Sequence, residues 1–207
     1  MSADDVVSPR DTILARIRAN RPAGEHPRPD VPRFPVLHAG RPLEPDDYVG
    51  VFETNLKAMG GKPAPEDADD LAALVRRLFP KAGVVASRVP ELAGDIDVAA
   101  CRPQDLAGVD VAVVRAAFAI AETGSILLSE AELGVNALAY LAQHLLVLLD
   151  PADIVASTQD AYHRPEFKER RYAAFHTGPS ATADIEGVLI HGAQGVRSLT
   201  VAMRPRA

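Results

Sequence analysis

The sequence predicts an α/β layered domain: a mainly parallel sheet flanked by helices. Three observations carry this expectation. Apolar residues recur at helical spacing before Pro80, short β-branched runs replace them afterwards, and Gly or Pro breakers separate the segments. With 207 residues, 47% of them hydrophobic, the chain has material for one domain with a sizeable core and an N-terminal appendage. The expected division is a helix with a Pro-rich arm over residues 1–45 and the α/β domain over 46–207.

Ser8-Pro9 reads as an N-cap followed by proline in the first helical position, and Ile13, Leu14 and Ile17 give a short apolar stripe. Seven prolines between Arg21 and Pro45 exclude a packed helix or central strand there, so an extended arm outside the core is expected. Helical spacing returns over Pro45–Met59 (Tyr48, Val51, Phe52, Leu56) and over Pro65–Phe79 (Leu71, Leu74, Val75, Leu78), with Gly60-Gly61-Lys62-Pro63 as the breaker between them. Gly83–Ala86 and Val109–Val114 are runs suited to strands buried on both faces. FAIAETGSILLS (118–129) reads as two strands joined across Thr123-Gly124, HLLVLL (144–149) as a buried strand, and SLTVAM (198–203) as a terminal strand. Pro151 opens what reads as one long helix running to Tyr172.

Net charge is −6 and no segment concentrates Lys and Arg, so neither nucleic acid nor a membrane surface is an expected partner. No window reaches the roughly 18 apolar residues of a membrane span, and a cytoplasmic location is expected. Cys101 is the single cysteine: the chain forms no internal disulfide and does not supply the several thiolates of a zinc or iron-sulfur site. His144 precedes a buried run and reads as a hydrogen-bonded core histidine. His176 and His191 flank a glycine-rich segment without a third ligand, so no metal site is expected. Dinucleotide, P-loop and nucleophile-elbow motifs are absent.

Three segments, FAIAETGSILLSE (118–130), HLLVLLDPADIVAS (144–157) and GPSATADIEGVLIHGAQGVRSL (178–199), resemble the LUD-domain proteins of the lactate utilization protein C type. The pairing of AETGS with GPSxTADIE carries the resemblance. It implies a three-layer α/β/α fold similar to the ribose-phosphate isomerase and CoA-transferase group. It also implies a role beside iron-sulfur partner proteins that oxidise L-lactate to pyruvate, with no cofactor bound by this chain. Two departures stand out: Ala181, where Arg or Lys is frequent in the family, and Ala142-Gln143 in place of a Pro pair.

The expected site is a pocket for a small carboxylate or phosphate-bearing ligand, formed by Thr123, Gly124 and Ser125 together with Gly178, Pro179, Ser180 and Thr182. Glu122, Asp184 and Glu186 are its candidate catalytic carboxylates. Glu122 follows an apolar run, where a buried carboxylate needs a partner. Asp184 and Glu186 have two readings. Either Ser180 or Thr182 caps a helix whose positive end they flank, or they sit on an extended segment and face one ligand. On the ligand reading, the amides of Gly178 and Ser180 hold an anionic group. Beside the lactate role stand a free-standing enzyme of the CoA-transferase-like or sugar-phosphate type, acting through Glu122 or Asp184, and a non-catalytic assembly subunit whose arm wraps a neighbour. Homo-oligomerisation stays open.

Overall fold

The structure, a computed structural model, describes residues 8–22, 24, 27, 29–65, 70–182 and 190–206. It comprises two compact units, Met1–Arg33 and Phe34–Ala207. In the first, helix α1 (Pro9–Ala19) starts as its sequence predicts: Pro9 opens the helix and the Ser8 hydroxyl accepts a hydrogen bond from the Asp11 amide at 3.1 Å.

The second unit begins within the proline-rich stretch, at Phe34 rather than at residue 46. Strands β1 (Leu37–His38) and β2 (Arg41–Pro42) form a small hairpin turning through Ala39 and Gly40, and Leu43 after it is buried in the core. This corrects the expectation of an arm wholly outside the core. Prolines tolerate the edge of a two-stranded ribbon, where no ladder hydrogen bond is asked of them.

Helix α2 (Tyr48–Ala58) buries Val51, Phe52 and Leu56, and strand β3 (Lys62–Pro63) follows directly. Helix α3 (Leu71–Leu78) starts where the Asp70 carboxylate accepts from the Ala72 amide at 2.8 Å. Strands β4 (Val85–Ser87) and β5 (Val111–Arg115) come next, then the hairpin β6 (Phe118–Ile120) and β7 (Ser125–Ser129), then the short helices α4 (Glu130–Leu133) and α5 (Leu138–Leu141). Strand β8 (His144–Leu149) has the predicted limits.

Residues 154–172 differ from the predicted long helix. Ile154–Val155 is a strand, β9, paired in parallel with β6, and only α6 (Thr158–Ala161) and α7 (Glu166–Glu169) are helical. The physical reasons are local. Ile154 and Val155 are β-branched and find an open strand edge, the Ser157 hydroxyl caps a new start by accepting from the Asp160 amide at 3.0 Å, and Pro165 cannot donate to the preceding turn. Strands β10 (Ala173–His176), β11 (Ala181–Thr182), β12 (Ile190–His191) and β13 (Ser198–Met203) complete the chain.

The central sheet is parallel throughout, in the order β3-β13-β8-β5-β4. Its inner strands β8 and β5 read as near-continuous apolar runs because both faces are covered. On one face Leu145, Val147 and Val114 join a core with Phe52, Leu56, Leu128 and Leu133; on the other Leu146, Leu148 and Val113 pack with Leu71, Leu74 and Val75 of α3. Each such side chain contributes about 1.5–3 kcal/mol by leaving water. Helices therefore flank a parallel sheet, as predicted. A second sheet, β10-β7-β6-β9, lies beyond what the sequence predicts; it is antiparallel except where β6 meets β9. Its outer face is closed by Phe118, Phe167 and Phe175. Among the described residues no helix is long and apolar enough to cross a membrane.

Candidate functional site

Antiparallel pairing of β7 with β10 sets Ile126 opposite His176, and this carries the AETGS turn up to the start of the GPS segment. Three hydroxyls form a chain there: Ser125 Oγ lies 2.7 Å from Thr123 Oγ1 and 2.6 Å from Thr177 Oγ1. The two segments expected to share a site are neighbours.

What brings them together is the last turn of α2. Gly124 and Gly178 both have positive φ, 65° and 78°. A Cβ on Gly124 would lie 2.3 Å from the Leu56 amide nitrogen, and one on Gly178 would lie 2.0 Å from the Met59 carbonyl oxygen. Asn55 fastens the same turn of helix by donating to the carbonyls of Ala121 at 2.8 Å and Glu122 at 3.0 Å. These glycines admit a helix, not a ligand.

Glu122 is exposed, so the burial argument for it does not hold. Its Oε2 accepts from the Thr158 amide at 3.0 Å and the Thr158 hydroxyl at 3.3 Å, at the start of α6. With Thr123 and Thr158 it lines an open depression of about 410 Å³. The Ser180 amide, expected to hold an anion, donates instead to the Val196 carbonyl at 2.9 Å, and the Ser180 carbonyl accepts from the Gly192 amide. Ser180 therefore caps no helix: Ala181 and Thr182 are extended and pair with His191 and Ile190, while Pro179 is half-buried beside them. Asp184 and Glu186 lie outside the described residues.

A second concavity carries more charge. A cavity of about 470 Å³ opens at the amino ends of the parallel strands, lined by Lys62, Phe79, Lys81, Asp110, His144 and Arg197. Strand register explains the gathering. His144 is the first residue of β8 and lies level with Ser198, the first of β13, while Asp110 immediately precedes β5. The His144 ring stacks on Phe79 with centroids 4.9 Å apart, and its Nδ1 lies 2.8 Å from the Ser198 hydroxyl. Burial, with Arg197 and Lys62 nearby, holds its pKa below the ordinary value against a smaller opposing pull from Asp110. His144 is thus a hydrogen-bonded, oriented imidazole at the cavity wall, more than the core histidine its sequence suggests. Asp110 is engaged elsewhere, since its carboxylate accepts from the amides of Gly83 at 2.7 Å and Val84 at 2.9 Å, which hold its pKa low. Sequence reasoning missed Lys62, Phe79, Lys81 and Arg197. The available signal was a polar residue at the first position of successive apolar strands, which marks one end of the sheet only once the strand order is known.

His176, at the end of β10, packs its ring 5.5 Å from that of Tyr140, and its Nε2 has no hydrogen-bond partner among the described residues. Burial pushes its pKa down to about 4. Tyr140, hydrogen-bonded to the Tyr172 hydroxyl and partly desolvated, is pushed up to about 12.

The LUD domain model matches residues 97–202, just over half of the 207. The chain belongs to the LUD-domain family. Both AETGS and GPSATADIE fall within that LUD segment. The crystal structure of a DUF162 family protein from Deinococcus radiodurans shares the fold, with a TM-score of 0.58 at 19% identity over 78% of this chain and 99% of that one. No curated protein matches the chain. His144 and Arg197 of the cavity belong to the matched LUD segment, whereas Lys62, Phe79 and Lys81 precede it.

Proposed function

We propose that this LUD-domain chain is a subunit of the lactate utilization protein C type, working with iron-sulfur partner proteins that oxidise L-lactate to pyruvate. The observation that supports this reading is the LUD match across residues 97–202, which takes in all three segments of the type-C resemblance. A single cysteine cannot hold an iron-sulfur cluster of its own, so the electrons of the reaction go to centres on partner chains. Glu122 as the nucleophile of a free-standing acyl-transferring enzyme has weaker support, because its carboxylate already accepts from the start of α6.

The test is lactate-dependent dye reduction by the purified chain, by its co-purified iron-sulfur partners, and by both together. Activity that needs the combination supports the proposal, and robust activity from this chain alone overturns it. Within the reconstituted system Asp184→Asn and Glu186→Gln remove charge at near-constant size. Loss of activity with folding and partner binding intact assigns those carboxylates to the ligand or the chemistry.

A further inference from the structure

The cavity at the amino ends of the parallel sheet is unlike the rest of the surface. The chain is acidic overall, with 28 carboxylates against 22 Lys and Arg, yet three cations, Lys62, Lys81 and Arg197, line this one concavity. None of the three forms an ion pair among the described residues, although ten pairs involving other cations do form there. The one carboxylate among the described lining residues, Asp110, keeps its negative charge while one of its oxygens accepts from the amides of Gly83 and Val84, so it offsets only one of the three. The remaining polar wall comprises Gln143, Ser198, Thr200 and the imidazole of His144, which is oriented by Ser198 and by its stack on Phe79.

We propose that this cavity is a binding site for a small organic dianion, a phosphate monoester or dicarboxylate, whose charged end meets Lys62, Lys81 and Arg197 while its body lies against Phe79. Three cations against the single Asp110 carboxylate leave a surplus of two positive charges, which exceeds what a monocarboxylate neutralises. A doubly charged group can accept hydrogen bonds from several of them at once, with the planar guanidinium of Arg197 able to donate two in parallel. The volume, about 470 Å³, falls in the range of roughly 300–1,000 Å³ that encloses ligands larger than a three-carbon acid. Apolar surface from Leu78, Phe79 and Ala82 forms the other wall, which suits a carbon skeleton attached to the anion. The ligand is therefore not lactate or pyruvate, and its binding does not depend on the lactate-utilization role.

The experiment is isothermal titration calorimetry on the full purified chain, at matched low ionic strength, with inorganic phosphate, phenyl phosphate, malonate and L-lactate. The expected result is saturable binding of at least one dianion and a much weaker response to L-lactate. Phenyl phosphate binding more tightly than inorganic phosphate identifies the phosphate-monoester class, and malonate binding most tightly identifies the dicarboxylate. Each of Lys62→Gln and Arg197→Gln weakens binding roughly tenfold or more, as expected for losing a charge-assisted hydrogen bond, and Lys168→Gln on α7 does not. All three positions are on the surface, and circular dichroism checks the fold. A second readout is the imidazole NMR signal of His144, assigned by its absence in His144→Gln, which shifts on ligand addition. The proposal is overturned if no dianion binds, if L-lactate binds as tightly as the dianions, or if Lys62→Gln and Arg197→Gln leave binding unchanged.

Discussion

Replacing Gly178 with alanine separates two demands that the chain places on this position. One is conformational: φ is 78°, and an L-residue in the left-handed region costs about 1–2 kcal/mol. The other is steric: the new Cβ would lie 2.0 Å from the Met59 carbonyl oxygen, a backbone atom that cannot rotate away, so the turn and α2 must part at an overpacking cost of about 1–3 kcal/mol. Together these give a loss of about 2–5 kcal/mol. Gly40 supplies the control, since its φ of 80° is nearly the same but nothing lies within 4 Å of the position its Cβ would occupy. Gly40→Ala is therefore expected to lose only the conformational part, about 1–2 kcal/mol. Urea denaturation of both variants measures the difference, and in a chain of this size each kcal/mol corresponds to about 2–4 °C in melting temperature. Gly178→Ala losing no more stability than Gly40→Ala would refute the claim that this glycine admits the end of α2.

Two further outcomes are expected. Glu122→Ala removes the acceptor at the start of α6 and costs about 0.5–2 kcal/mol, while Glu122→Gln, which keeps an acceptor, costs much less; equal losses in urea titrations would show that the charge rather than the hydrogen bond matters. His176 introduces a pH dependence whose sign follows from its lowered pKa. Its contribution is fully present above the unfolded value of about 6.5 and is lost as pH falls toward about 4, because only the unfolded chain takes up the proton easily. The stability curve of His176→Gln should be flatter than wild type across that window, by up to about 3 kcal/mol, as measured by unfolding at pH 7 and pH 4.5.

The strands are legible because their residues answer to local rules. HLLVLL is apolar on both faces beyond its first residue and SLTVAM alternates a fully apolar face with a smaller, more polar one, and their predicted limits match β8 and β13. Thr123-Gly124 marks the β6–β7 hairpin through the positive φ that glycine supplies, here 65°. Residues 154–172 are not legible in the same way. Ile154-Val155 makes a strand only because the edge of β6 lies open beside it, and its partners there, Ala119 and Ile120, are far back in the chain. The charged cavity is hidden for a stronger reason. Lys62, Lys81, His144 and Arg197 are scattered along the chain, and what gathers them is the strand order β3-β13-β8-β5, which no periodicity encodes. The glycine-rich turns show the opposite difficulty: the segments are neighbours, but Gly124 and Gly178 serve a helix end whose place between them no local pattern announces.

That helix end has a mechanical consequence. After the turn of α2 held by Gly124, Gly178 and Asn55, only Met59, Gly60 and Gly61 intervene before Lys62. Gly61 leaves no slack of its own, since a Cβ there would lie 2.3 Å from Leu56 Cδ1, and its amide is tied to the Leu56 carbonyl at 2.9 Å. The two turns thus act as a vice whose jaws fix where the backbone enters β3, and hence where one of the three cations of the cavity is rooted. Loosening either jaw would be felt across the sheet as a displaced lysine, so a variant of the AETGS or GPS turn can change ligand affinity without any of its atoms reaching the ligand.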